Sequence, residues 1–244
     1  MKNKKSLGQH WLNNRRILDG IAAEAGSGEL CLEIGPGLGT LTSSLLKRFD
    51  KVLAVEYDEN LARNLPGSFP GKNLEVVNAD ILDFDFSTIS QPYVVAGNIP
   101  YYITSPIIEK VLLSENRPER VVLLIQKEVA ERIADKKETM LSLFVKNRAN
   151  VKLGEVVKRD EFTPPPKVDS QVIILEPKAP EGPDEVFKLI RLGFAAPRKK
   201  LIHNLAGIKS KEELKNKFTE LGISVDARPG DLHLADWQKL ANSF

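Results

Sequence analysis

Within the stretch Gly97-Asn98-Ile99-Pro100-Tyr101-Tyr102, an amide, a proline carbonyl and an aromatic ring stand close together. That set suits a reaction at the exocyclic amine of a nucleobase. Such an amine is a poor nucleophile because its lone pair is delocalised into the ring. The Asn98 side-chain oxygen and the Pro100 backbone carbonyl can each accept one of its N–H bonds, which favours a pyramidal nitrogen with its lone pair aimed at an electrophile. Tyr101 can stack on the flipped base. Alone, the same residues also read as an Asn-x-Pro turn followed by a packed aromatic ring.

The electrophile has its own signature. Leu30 to Ile34 reads as a buried strand running into Gly35-Pro36-Gly37-Leu38-Gly39, where glycines let the backbone approach a ligand. A dinucleotide fingerprint calls for its third glycine at position 40, which is Thr40. Glu33-x-Gly35-x-Gly37-x-Gly39 is instead the pattern of S-adenosylmethionine sites, with no pyrophosphate to cradle. Glu56 ends the next strand, Lys51 to Glu56, 21 residues after Gly35. An acid there can accept both ribose hydroxyls of an adenosyl group, or it is a solvated strand end. After a third strand, Leu74 to Asn78, Asp80 suits the exocyclic amine of an adenine and Ile81 its ring face. Near the N-terminus, Gln9 and His10 beside Gly8 can hydrogen-bond a ligand carboxylate, although a lone histidine also fills structural roles. No second His or Cys stands at metal spacing, so no metal is expected.

These groups need a scaffold that gathers strand ends. Tyr93 to Ala96 reads as a buried strand ahead of Asn98, and Thr104-Ser105-Pro106 opens a helix after it. The glycine loop leads into a helix from Thr40 to Phe49. Arg120 to Gln126 is a further strand with a helix over Lys127 to Ile133, and Ser170 to Leu175 is the last strand. Strands alternating with helices predict an α/β fold with a doubly wound, mostly parallel sheet. After Pro177 the pattern is helical: Val186 to Phe194, Lys199 to Leu205, Glu212 to Leu221 and Asp236 to Leu240. Proline and glycine between Lys178 and Pro183 mark the boundary. This gives a catalytic domain over 1–180 and a small all-helical domain over 181–244.

A chain of 244 residues has room for both. Cys31, the single cysteine, excludes a disulfide framework and fits a reducing compartment. No apolar stretch follows Lys2, Lys4 and Lys5, and no apolar run reaches membrane length, so a cytoplasmic protein without membrane contact is expected. Charge is unevenly placed: residues 184–217 hold nine Lys/Arg against four Asp/Glu, while 1–183 hold 24 against 25. The basic segment, with Arg198, Lys199 and Lys200 in a row, suits a polyanion or is a solvated helix face. A methyltransferase acting on small molecules or proteins would have no use for it.

Together these motifs resemble those of the KsgA-type small-subunit rRNA adenine dimethyltransferases, with the macrolide-resistance Erm methyltransferases as close cousins. The matching pieces are Leu7-Gly8-Gln9-His10-Trp11-Leu12, Glu33 to Gly39, Asn98-Ile99-Pro100-Tyr101 and Phe162-Thr163-Pro164-Pro165-Pro166-Lys167-Val168-Asp169-Ser170. Gln126 to Arg132, Phe194 to Leu205 and Arg228 to Leu240 are similar to the KsgA branch rather than to Erm. The resemblance implies a Rossmann-like fold and S-adenosyl-L-methionine as cofactor. It implies methyl transfer to N6 of two adjacent adenosines near the 3′ end of small-subunit rRNA, two methyl groups per base. The implied partner is that rRNA or the assembling small ribosomal subunit, and a monomer is expected. By position, His10, Leu12, Gly35, Glu56, Asp80 and Asn98 correspond to cofactor contacts, while Asn98, Pro100 and Tyr101 hold the target base. Arg198, Lys199 and Lys200 are the RNA-binding candidates. An Erm-type large-subunit enzyme and an assembly factor whose methyl transfer is incidental are the alternatives. Some positions depart from the family: Trp11 and Ile99 replace the commoner Phe and Leu, Tyr102 stands where Asn is frequent, Pro197 where Arg is common, and the stretch from Ala134 to Met140 is short and lacks a Tyr-Gly pair.

Overall fold

A computed structural model describes residues 9–180 and 185–244, without the side chain of Glu185. Leu7 and Gly8 of the N-terminal motif, and residues 181–183 of the expected boundary, lie outside the described residues. Strand β1 (Trp11–Leu12) and helix α1 (Arg15–Ala25) lead to β2 (Gly28–Ile34), α2 (Thr42–Leu45), β3 (Phe49–Glu56), α3 (Glu59–Asn64) and β4 (Leu74–Asn78). Next come β5 (Val94–Asn98), α4 (Thr104–Leu113), β6 (Arg120–Gln126), α5 (Lys127–Ala134), α6 (Met140–Arg148) and β7 (Ala149–Val157). The short β8 (Phe162–Thr163) precedes β9 (Ser170–Pro177), and α7 (Glu185–Gly193), α8 (Leu201–Asn204), α9 (Lys211–Glu220) and α10 (Leu234–Asn242) complete the chain.

Seven strands form one sheet in the order β4-β3-β2-β5-β6-β9-β7. From β4 across to β6 the strands are parallel, and β9 joins β6 antiparallel. The chain winds outward from β2 to β4, then places β5 on the other flank of β2. The carboxyl ends of β2 and β5 therefore border the switch point, where open α/β sheets bind ligands. Leu30-Cys31-Leu32 of β2 and Val94-Val95-Ala96 of β5 are buried apolar runs, as strands covered on both faces must be, with Glu33 the buried exception. Gly97 makes the close pairing possible, because a Cβ there would stand 2.8 Å from the Ile34 carbonyl oxygen.

Helix α1 shows how one face is fixed. Ile17, Leu18, Ile21, Ala22 and Ala25 recur at helical spacing and are all buried. The Asn14 side chain caps the helix by accepting from the N–H groups of Arg16 and Ile17, and Gly26 ends it at φ 91°. Its apolar face packs into a core with Leu124, Val172 and Ile174, each large aliphatic side chain contributing about 1.5–3 kcal/mol on burial.

The helix expected from Thr40 to Phe49 is a single turn, and Phe49 begins β3 opposite Gly28. Leu41, Leu45 and Phe49 all enter the core, so a four-residue apolar spacing is met by a helical turn and then by a strand. Ser44 in that turn donates its hydroxyl to Asp19 on α1, which ties the turn to the helix beside it. The glycine loop, more than a helix dipole, is thus what faces a ligand. Helix α6, strand β7 and the β1/β8 pair were not expected from the sequence.

The chain divides into two compact units: residues to 131 with 150–177, and 132–149 with 178–244. Residues 132–149 join the second unit because Leu143 on α6 packs with Val186, Ile190, Phe218 and Trp237, and the Glu138 N–H donates to the Gly230 carbonyl. Arg198, Lys199 and Lys200 do not lie on a helix. They are exposed in the turn between α7 and α8. Pro197 has no N–H to extend a helix and restricts Ala196 before it, and the Asn204 amide donates to the Ala196 carbonyl to hold the turn. Lys200 is ion-paired with Asp226.

Candidate active site

One cavity in the first unit gathers nearly every expected residue. The loop after β2 contributes Gly35 and Gly37, the end of β3 contributes Glu56, and the segment after β4 contributes Asp80 and Ile81. Asn98, Pro100 and Tyr101 come from the end of β5, and Gln9 and His10 from the N-terminal strap. Leu12 does not line this cavity. Its side chain is fully buried in the core beneath α1, so any ligand contact at that position would fall to its backbone.

The cofactor side is ordered by Glu56. One carboxylate oxygen accepts the Gly37 N–H at 3.0 Å and the other the Asp58 N–H at 2.8 Å, which ties the glycine loop to the strand end. Gly37 takes φ 58° there, a left-handed conformation that glycine adopts without strain. Trp11 closes over this turn: a Cβ on Gly37 would lie 3.4 Å from its indole nitrogen. Burial raises the Glu56 carboxyl above its ordinary range, and the two backbone N–H groups oppose that rise. Each oxygen keeps a lone pair for a ribose hydroxyl. Asp80 accepts the Leu82 N–H at 2.9 Å with one oxygen, leaving the other for an adenine amine.

Glu33, which opens the glycine pattern but was given no contact of its own, lies 1% exposed at the end of β2 and also lines the cavity. Burial pushes its carboxyl up to about 8, and the nearby Glu56 adds to the rise. Its Oε2 has no hydrogen-bond partner among the described residues. Thr42 bonds the carboxyl and opposes that rise, but the free oxygen leaves room for a cationic ligand that would favour the ionised form, and S-adenosylmethionine carries both a sulfonium and an ammonium. The residues present therefore fit this cofactor. Tyr57 was also missed. It is 63% exposed on the cavity rim, and an aromatic residue directly after the ribose-side acid was the available signal.

The amine side is equally constrained. The Asn98 side-chain N–H donates to the His10 backbone carbonyl at 3.0 Å, which turns the amide oxygen away and leaves it to accept from a substrate. His10 bonds the Pro164 carbonyl through Nδ1 at 2.7 Å; because that carbonyl can only accept, Nδ1 carries the proton. The His10 and Tyr101 rings are stacked, 6.1 Å apart and 20° from parallel. The Tyr101 hydroxyl bonds Ser170 Oγ at 2.7 Å, and burial raises its pKa, so the phenol stays neutral. The strap holding His10 is itself fixed by the antiparallel pairing of β1 with β8 and by Asn14 donating to Glu161.

The chain matches the model of the ribosomal RNA adenine dimethylase family over residues 1–244. It belongs to that family. It is 38% identical over 265 residues to the ribosomal RNA small subunit methyltransferase A of Nostoc sp., covering 99% of this chain and 98% of that one. The protein of the same name from Dehalococcoides mccartyi is 39% identical over 260 residues, with 100% and 89% covered. Among solved structures, a dimethyladenosine transferase from Plasmodium falciparum is similar at TM-score 0.80 and 30% identity, with 95% of this chain and 96% of that chain covered. The 23S rRNA methyltransferase ErmE is similar at TM-score 0.77 and 26% identity, with 95% and 98% covered. This member of the rRNA adenine dimethylases thus has the Rossmann-like fold of S-adenosylmethionine-dependent methyltransferases and acts on RNA. No helix among its described residues is long and apolar enough to cross a membrane.

Proposed function

We propose that this enzyme methylates N6 of two adjacent adenosines near the 3′ end of small-subunit rRNA, giving N6,N6-dimethyladenosine, and that it works as a cytoplasmic monomer on the assembling small subunit. One observation carries the reading: the Asn98 amide, oriented by the His10 carbonyl, stands beside Pro100 and Tyr101 in the cavity that Glu56 and Asp80 also line. Relatives named for the small subunit match at 38% and 39% identity over nearly the whole chain, which supports the small-subunit substrate.

Glu56 and Asp80 hold the adenosyl group, with Gly35 and Gly37 allowing close backbone approach; Gln9, His10 and Ile81 complete the binding set, and Glu33 faces the cationic part. S-adenosylmethionine supplies an activated methyl group on a sulfonium. Asn98 Oδ1 and the Pro100 carbonyl accept the two N–H bonds of the adenine amine and draw its lone pair out of conjugation. Both acceptors also stabilise the positive charge that develops on the nitrogen. Tyr101 fixes the base plane, its own ring set by Ser170 and His10. No strong general base is needed, because an N-alkylated adeninium amine is acidic and releases its proton to water. Catalysis is mostly positioning. Arg198 and Lys199, with Lys200 in a lesser part, contribute phosphate contacts in the second unit.

A primer-extension map of rRNA from cells with and without the protein tests this. Two adjacent adenosines near the 3′ end of the small-subunit rRNA should stop the polymerase only when the protein is present. Stops in the large-subunit rRNA, or none, would contradict the assignment.

A further inference from the structure

We infer that Tyr102 is a stacking platform for the nucleotide next to the adenosine being methylated, and so helps to select the RNA site. The inference rests on the rRNA adenine reading above and adds to it a second base contact.

Tyr101 and Tyr102 open the 3₁₀ turn Tyr101–Ile103. With three residues per turn, neighbouring side chains point about 120° apart, so the two rings serve different positions. Tyr101 is committed: it is half-buried, its hydroxyl is bonded to Ser170 and its ring is stacked with His10. Tyr102 lines the same cavity yet is 64% exposed. It makes no hydrogen bond or ring contact among the described residues. The other strongly exposed ring on this rim, Tyr57, follows Glu56 on the cofactor side.

A lone exposed tyrosine is ordinary on a protein surface. At this place it is not idle, because a base must pass the rim to reach Asn98. Extruding one nucleotide from a strand removes a stacking partner from its neighbour and leaves that neighbour's π-face open. An unengaged aromatic ring one residue from Tyr101 can take up that face. Stacking of this kind is tolerant of sequence but sensitive to ring removal.

The test uses the full-length protein, S-adenosylmethionine and a fragment of small-subunit rRNA containing the two adjacent adenosines. Two further fragments carry an abasic nucleotide on one side or the other of the first target. On the intact fragment, Tyr102→Ala should raise the KM for RNA roughly 5- to 150-fold, Tyr102→Phe should stay near wild type, and cofactor affinity should not change. On the fragment lacking the contacted neighbour, wild type and Tyr102→Ala should be alike. An unchanged KM for Tyr102→Ala on the intact fragment overturns the inference, as does an equal loss on all three fragments. If wild-type protein methylates no adenosine either in the fragments or in assembling small ribosomal subunits, the rRNA reading itself falls and this inference with it.

Discussion

The strand-end crevice and the cation run between α7 and α8 are held in opposite ways. In the crevice, Asn98 is set by the His10 carbonyl, His10 by Pro164, Tyr101 by Ser170 and the glycine loop by Glu56. At the run, Arg198 and Lys199 are exposed in a turn, and among the described residues only Lys200 has an ion-pair partner, in Asp226. The difference follows from the tasks. An amine whose lone pair must be aimed requires acceptors fixed to a fraction of an ångström. A phosphate backbone requires only positive charge within reach. Substitutions in the first region should therefore change rate or cofactor affinity, and those in the second should change salt dependence.

The largest expected effect is at Asn98. Asn98→Ala should lower the single-turnover rate of methyl transfer by about 10²–10³ while RNA affinity changes little. A rate near wild type would remove the crevice from its assigned role. Next comes Glu56, where the structure guides the choice of substitution. Alanine would strand the Gly37 and Asp58 N–H groups, whereas Glu56→Gln keeps the shape and one acceptor oxygen. Calorimetric titration should show cofactor affinity reduced roughly 10- to 150-fold in Glu56→Gln, as for loss of a charge-assisted acceptor, with a similar or smaller loss in Asp80→Ala.

Glu33 sharpens the contrast through pH. Its carboxyl is held up to about 8 from an ordinary 4.5, so the folded state keeps a proton that the unfolded chain releases. The associated stability is present below the ordinary value and is lost as pH rises through the folded one. Thermal melts of the cofactor-free protein should show wild type losing stability from about pH 5 to about pH 8 relative to Glu33→Gln; parallel curves would contradict a carboxyl held protonated by burial. The smallest effect belongs to the cation run. Arg198→Ala combined with Lys199→Ala should flatten the slope of log K against log salt by roughly 1.4–1.8 for two phosphate contacts, and adding Lys200→Ala should change it less. An unchanged slope would make the run a solvated surface.

Much of the crevice was legible in the sequence because its chemistry is written in local runs: a strand, then a turn whose residue types face the ligand. Glu33 to Gly39, Val55 to Glu56, Asp80 to Ile81 and Asn98 to Tyr101 all have this form. The parts that escaped depend on partners far along the chain. The Ser170 bond to Tyr101 and the Pro164 bond to His10 span 69 and 154 residues, and no local pattern announces them. Leu12 was read as a cofactor contact from its motif, but its side chain is drawn into the core by α1. The helix expected over Lys199 to Leu205 begins only at Leu201, with Lys200 as its cap, and residues 132–149 were grouped by chain position although Leu143 packs with the C-terminal helices.

The central claim is that an amide and a carbonyl at the end of β5 select the N6 amine of adenosine. The direct measurement is a nucleoside digest, read by mass spectrometry, after incubating the purified protein with methyl-labelled S-adenosylmethionine and assembling small ribosomal subunits. The label should appear in N6-methyl- and N6,N6-dimethyladenosine from two neighbouring positions. Label on a ring nitrogen, a ribose hydroxyl or another base would contradict it.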